Sequence, residues 1–190
     1  MAQEWTQPGM FDPEHGADMD EPEPQPCALF TSTHQDWRTP DDLFSMLDDE
    51  FSFTLDAASS HENAKCAKHF TIDDDGLRQS WEGHTVWCNP PYDDVGTWIA
   101  KCASEGRHTT VVALVFARTC TTWFHKWVLS TAHEVRFIKG RVKFFRGEKT
   151  GPAPAPSMVV VWRPGMRQAA TCPVFSMSRR KEPKQEAIKW

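Results

Sequence analysis

Residues 85–92, Thr-Val-Trp-Cys-Asn-Pro-Pro-Tyr, constrain the fold more than any other stretch of this chain. Thr85–Cys88 is apolar enough for a short buried strand. Two consecutive prolines then end its ladder, because neither has an N–H to donate and each fixes φ. The chain must leave the sheet there in a rigid, extended turn. In an open α/β sheet such an exit lies at the carboxyl edge, where ligands bind. The Asn89 amide oxygen and the Pro90 carbonyl can both accept hydrogen bonds from one exocyclic NH2. Tyr92, with Pro91 fixing its approach, supplies a face on which an aromatic base can stack. An amine conjugated to a ring is a poor nucleophile, since its lone pair is delocalised. Two acceptors that draw it toward tetrahedral geometry localise that pair for attack on an electrophilic methyl group. The bland alternative is a tight turn carrying a partly buried Tyr.

The neighbouring pattern favours a site. Asp42–Glu50 reads as a helix with Leu43, Phe44, Met46 and Leu47 as its apolar stripe, and Phe51–Leu55 alternates like a strand that runs into Asp56. Residues 62–70 read as a short helix, and Val95–Glu105 as an amphipathic one closed by Gly106. Thr109–Phe116 is a continuous β-branched run, the signature of a buried strand, and it ends at Ala117-Arg118-Thr119. Thr121–Leu129 is expected to be helical. Glu134–Ile138 and Val142–Phe145 read as strands around a Gly140 turn, and Ser157–Trp162 as a further strand after the loop Arg146–Pro156. Strands alternating with helices and closing in strands predict a mostly parallel α/β sheet with an antiparallel C-terminal hairpin. If the strands are parallel, Asp56, Asn89 and Arg118 leave the same edge.

Charge and composition set the boundaries. Residues 1–26 hold seven acids and no Lys or Arg, and without them the formal charge moves from −5 to +2. Residues 163–190 hold seven bases against two acids. The expected organisation is an acidic, Pro-rich disordered tail over 1–29, one domain over 30–164, and a basic mobile tail over 165–190. The acidic total therefore does not argue against a polyanionic partner. Cysteines at 27, 66, 88, 102, 120 and 172 form no C-x-x-C pair, so no zinc site is expected. With neither a secretory pattern nor a run of roughly 18 apolar residues, the expectation is a cytoplasmic protein without a membrane segment.

The ordered set Asp36-Trp37-Arg38-Thr39-Pro40, Leu55-Asp56-Ala57-Ala58, Asp74-Asp75-Gly76-Leu77 with Trp81, Val86 to Tyr92, Ala117-Arg118-Thr119 with Trp123-Phe124, and Gly140 to Phe144 resembles the phage-encoded DNA N6-adenine methyltransferases. The resemblance runs from about residue 34 to residue 162. It implies a reduced Rossmann-like, class I methyltransferase sheet, S-adenosylmethionine as methyl donor, no metal, and adenine in double-stranded DNA as acceptor. Asn89, Pro90, Pro91 and Tyr92 match the catalytic element. Asp56, with Ala57, matches the position that contacts the donor's amino-acid end. Trp37, Thr39 and Pro40 match the element that completes that pocket, and Asp75 is placed near the donor's adenosine. A target adenine would have to be flipped from the duplex to reach such a site.

Departures from the broader methyltransferase pattern set further expectations. The donor turn Asp56-Ala57-Ala58-Ser59-Ser60 lacks the usual glycines. Only 32 residues separate Asp56 from Asn89, too few for two full strand–helix units. No insertion is large enough for a separate DNA-reading domain. DNA contact is therefore assigned to short loops carrying Arg118, Thr119, Arg141, Lys143, Arg146 and Lys149, within a basic run that also holds Arg136 and Lys139. Short or loose target recognition follows. The tetrapeptide alone would equally serve a methyltransferase of protein glutamine, RNA guanine or DNA cytosine N4, or survive in an idle nucleic-acid-binding module. No target sequence or oligomeric state can be read from the chain.

Overall fold

The computed structural model describes residues 38–146, 149–165 and 172–178. Helix α1 spans Asp41–Phe51 and buries Leu43, Leu47 and Phe51, one residue per turn along a single stripe. Pro40 precedes it, and Asp41 and Asp42 place negative charge at its amino end. It stops at Ser52, which adopts a left-handed φ of 54° and donates its N–H to Asp48 O at 2.8 Å. Phe51 completes the helical stripe. The expected strand over 51–55 therefore contracts to β1, Leu55–Asp56.

The remaining elements are β2 (Lys68–His69), β3 (Val86–Cys88), α2 (Val95–Glu105), β4 (Val111–Phe116), a π-helical segment (Phe124–Leu129), β5 (Glu134–Ile138), β6 (Lys143–Arg146), β7 (Lys149–Pro152), β8 (Ser157–Trp162) and β9 (Val174–Met177). The helix expected over 62–70 does not form. Residues 60–67 run in turns and bends, and Lys68–His69 instead pairs parallel with Leu55–Asp56.

One sheet of seven strands has the order β2-β1-β3-β4-β8-β5-β9. Every pairing is parallel except those of β8, which runs antiparallel between β4 and β5. The result is a mixed α/β fold with a mostly parallel sheet and few helices. The antiparallel feature is thus a strand inserted within the sheet, and the C-terminal hairpin of the expectation is corrected in its pairing. Lys143–Arg146 does not fold back on Glu134–Ile138 across Gly140; it pairs with Lys149–Pro152 in a separate two-stranded sheet. Burial explains the choice. All six residues of β8 are buried, so this strand takes the place with a neighbour on each side. The β6–β7 segment carries Gly151 and Pro152, which do not suit a central strand. A second difference is β9. It lies where a tail was expected, and it pairs parallel with β5 while leaving Val174 and Phe175 half exposed. Such a strand has no buried alternation to read.

Helix α1 lies on the sheet face that carries Trp87, whose ring meets Phe44 edge-on at 5.5 Å. Helix α2 and the π-helical segment lie on the other face, where Ile99, Cys102, Phe124 and Val128 join Leu55, Val86, Cys88 and Val111 in the core. The Arg136 guanidinium clamps α1 to the sheet through both Glu50 oxygens at 2.6 and 2.7 Å and also binds Glu134 at 2.5 Å. This member of the basic run is therefore engaged in an internal ion pair. The pair holds the Glu50 carboxyl below its ordinary range, chiefly through the Arg136 hydrogen bond.

Candidate active site

The parallel alignment of β1, β3 and β4 brings the ends of these strands to one edge, with Asp56 beside Trp87 and Cys88 beside Ala113. At that edge a cavity of about 710 Å³ opens. Three segments wall it: Ala57–Asn63 after β1, a turn within Phe70–Leu77 after β2, and Asn89–Tyr92 after β3, with Trp98 of α2 behind them. The volume falls within the range of about 300–1,000 Å³ typical of small-molecule sites.

The Asn-Pro-Pro-Tyr element stands at this edge. It leaves β3, Pro91 is extended at φ −57° and ψ 135°, and Tyr92 opens a 3-10 turn that feeds α2. All four of its residues line the cavity. The Tyr92 ring lies flat on Phe116, at 4.1 Å between centroids and 6° between planes. One ring face is therefore already covered, from within the fold. The Tyr92 hydroxyl is buried and has no hydrogen-bond partner among the described residues. Burial pushes its pKa well above the ordinary phenol value, so the group is a neutral hydroxyl.

Asp56 closes β1 at this sheet edge. It is only 2% exposed, is not among the cavity-lining residues, and its carboxylate is turned to the backbone. Oδ1 accepts the Ala58 N–H at 3.3 Å and Oδ2 the Lys65 N–H at 2.9 Å. It braces the glycine-free turn that forms one wall of the cavity. Desolvation raises its pKa above the usual carboxylate value, against the opposing pull of those two N–H donors. Ala57 and Asp75 do line the cavity. Asp75 adopts a left-handed φ of 52° and pairs with Arg78 at 3.0 Å. Thr39 and Pro40 are buried at the start of α1 but are not lining residues. Trp37 lies outside the described residues.

The first and second walls meet through Gly76. A Cβ there would stand 2.4 Å from the Ala57 carbonyl oxygen and 3.1 Å from the Trp98 ring, so only glycine permits this approach. The indole N–H of Trp81, wholly buried, donates to Gly76 O at 2.9 Å and fixes the turn from behind.

The charge of the lining is one-sided. Glu62, Asp73 and Asp75 are present, and no Lys or Arg is among the lining residues. Such a cavity favours a cationic or neutral ligand and disfavours one bearing phosphates. The lining residue Ser59 contributes a buried Oγ with no hydrogen-bond partner among the described residues, a second hydroxyl left for a ligand. These features fit S-adenosylmethionine, a cation with an aromatic base. No group of three or more potential metal ligands occurs among the described residues. Cys88 and Cys102 are wholly buried in the core, and burial pushes the Cys88 thiol well above its ordinary value, so it packs and does not attack.

The residues assigned to DNA are more scattered. Arg118 and Thr119 follow β4 at the same sheet edge, and neither lines the cavity. Arg141 donates to Ala153 O at 2.8 Å, tying together the two chain segments at the base of the β6–β7 hairpin. Lys143, on β6, is exposed. Arg146 and Lys149 occupy the facing ends of β6 and β7, and their side chains lie outside what is described. Sequence reasoning missed Phe70, Ile72, Asp73, Leu77 and Trp98 as cavity walls and Phe116 as the support of Tyr92. Their spacing carries no signal for these roles, which arise from contacts across strand ends.

Over 135 residues the chain is 28% identical to the DNA N-6-adenine-methyltransferase of Haemophilus phage HP1 (strain HP1c1), an alignment covering 67% of this chain and 78% of that protein. It is also 28% identical over 135 residues to the DNA N-6-adenine-methyltransferase of Escherichia phage T1, covering 62% of this chain and 56% of that one. No helix among the described residues is long and apolar enough to cross a membrane. The sequence profile of the DNA N-6-adenine-methyltransferase (Dam) family matches residues 28–187, and the chain belongs to that family.

Proposed function

We propose that this protein transfers the methyl group of S-adenosylmethionine to N6 of adenine in double-stranded DNA, with the target base turned out of the helix. The observation that carries the reading is the cavity itself: Asn89–Tyr92 forms one wall of a space whose other walls carry carboxylates and no cations. The donor would supply an electrophilic methyl group on a sulfonium centre. Glu62, Asp73 and Asp75 give it a favourable field, and Phe70, Leu77 and Trp98 give apolar contact for its base. Asn89 and the Pro90 carbonyl accept the two N6 hydrogens and localise the nitrogen lone pair. Tyr92, flat on Phe116, fixes the target base beside them. Acceleration then comes from positioning and from acceptors already in place, without a covalent enzyme intermediate.

Base identity would be read by short loops at the same edge, and backbone contact made by the β6–β7 hairpin with Lys143, Arg146 and Lys149, and by Arg118 and Thr119. This arrangement supports a short or loosely specified target. Expression of the full chain in cells lacking adenine methylation, followed by nucleoside mass spectrometry and methylated-base mapping, tests the reading. N6-methyladenine should rise above background at short sites. N4-methylcytosine in its place, or no modified base with donor-bound protein, would overturn it.

A further inference from the structure

Tyr92 stacks on Phe116 at 4.1 Å, and Phe116 in turn meets Phe144 edge-on, with centroids 6.3 Å apart and planes at 85°. Phe116 is the last residue of β4 and is 4% exposed, while Phe144 lies on β6 and is wholly buried. The three rings form a continuous line from the cavity to the two-stranded hairpin. Neither phenylalanine is a cavity-lining residue.

We propose that Phe116 is a positioning residue for Tyr92, and that Phe144 extends this support to the β6–β7 hairpin, so that the hairpin's placement sets the placement of the Tyr92 ring. The inference rests on the reading of Tyr92 as the platform for the target base. A tyrosine that supports a flipped base must keep its plane fixed, since a displacement of about 1 Å at a reacting centre can cost about a hundredfold in rate. Offset or parallel ring pairs hold a plane through area and quadrupole contact, and an edge-on third ring restrains the middle one. The hairpin is closed at its base by the Arg141 hydrogen bond to Ala153 O and by the Ala153 N–H, which donates to Val142 O at 2.7 Å. Among the hairpin's described side chains, Phe144 is the one that carries its position to the site. Contact of a nucleic-acid backbone with the hairpin is thereby felt at the ring that receives the base.

Tyr92 is the one tyrosine in the sequence, which makes the test direct. The full chain labelled with 3-fluorotyrosine should give a single 19F resonance from the site. Phe116→Met, close in volume, should shift and broaden that resonance and lower kcat by about tenfold, with KM for DNA and donor affinity changed by less than about twofold. Phe116→Tyr keeps the stack and should restore kcat. Phe144→Leu should move the same resonance. An adenine-free duplex of alternating dG and dC, which offers no target base, should shift the resonance in the wild type and leave it unmoved in Phe116→Met. An unchanged resonance and kcat in folded Phe116→Met would overturn the proposal. If that variant does not fold, an unmoved resonance in folded Phe144→Leu, or no response of the wild type to a bound adenine-free duplex, would do so. Absence of adenine methylation by the wild type would instead overturn the functional reading, and the 19F result would stand apart from it.

Discussion

Asp56 Oδ2 accepts the backbone N–H of Lys65 at 2.9 Å, and so closes the nine-residue excursion that forms the first wall of the cavity. Oδ1 takes the Ala58 N–H in the same loop. Any effect of this carboxylate on a ligand in the cavity would therefore pass through the shape of its own loop. Asp56→Ala would leave both N–H groups without that acceptor, at about 1–3 kcal/mol for each buried donor left unsatisfied. We expect a lower Tm and donor affinity reduced at least about tenfold by calorimetry. Unchanged donor affinity in folded Asp56→Ala would show that the loop holds without it.

The pH dependence of this residue has a definite sign. Burial raises the folded-state pKa of Asp56 above 3.8, the ordinary value. Its stabilising contribution is complete below the unfolded pKa and is lost as pH rises through the raised folded value. The stability of Asp56→Asn relative to wild type should therefore improve as pH rises from about 4 toward neutrality. Denaturant melts of both proteins across that interval check it, and a difference that moved the other way would mean the backbone donors outweigh desolvation.

Asn89→Ala removes the side-chain acceptor proposed for the substrate amine, and the cavity should keep its fold. Loss of one preorganised polar group at a reacting centre costs about a hundred- to a thousandfold in kcat. Donor binding should stay within about threefold of wild type, because the same principle confines the loss to the transition state. Single-turnover rates beside donor titrations separate the two, and turnover equal to wild type would end the assigned role.

Gly76→Ala places a methyl group against the Ala57 carbonyl oxygen, which is backbone and cannot rotate away. Overpacking of this kind costs about 1–3 kcal/mol. The variant should melt earlier and bind donor more weakly, since the strain sits between two cavity walls. A crystal structure of Gly76→Ala in which the added methyl group fits without movement of either wall would contradict the argument.

Arg141 and Lys143 should separate cleanly. Lys143 is exposed, so Lys143→Ala should weaken DNA binding evenly across sequences and reduce the slope of log K against log salt by about one, with stability unchanged. Arg141→Ala also removes the hydrogen bond to Ala153 O, and should lower stability as well as affinity. Salt-dependent binding isotherms with thermal melts distinguish them. Equal effects on stability would show that the Ala153 contact contributes nothing.

Elements with strong local signals were legible without coordinates. Val95–Glu105 and Glu134–Ile138 form within the limits that their periodicity set, and the β-branched run at 109–116 becomes a strand over Val111–Phe116 with all six residues buried. The hairpin pairing and β9 were not, because strand partners depend on which neighbours are available rather than on the strand's own residues. Arg136 read as part of a basic run until its ion pairs with Glu50, 86 residues away in sequence, and Glu134 were seen.

The sequence by itself determined the element that we propose to be catalytic. Asn89, two ring-locked prolines and Tyr92 after an apolar strand have few ways to leave a sheet, and their chemistry is carried within four consecutive residues. It also determined the family, through the order of short motifs. Only the tertiary structure decided what surrounds that element: Asp56 turned inward to brace a loop, Gly76 against Ala57, and Phe116 beneath Tyr92. Each of these depends on the close approach of segments from different strand ends. A local sequence pattern encodes backbone preference and burial, whereas the direction of a carboxylate or the partner of a ring is fixed by packing among all of them.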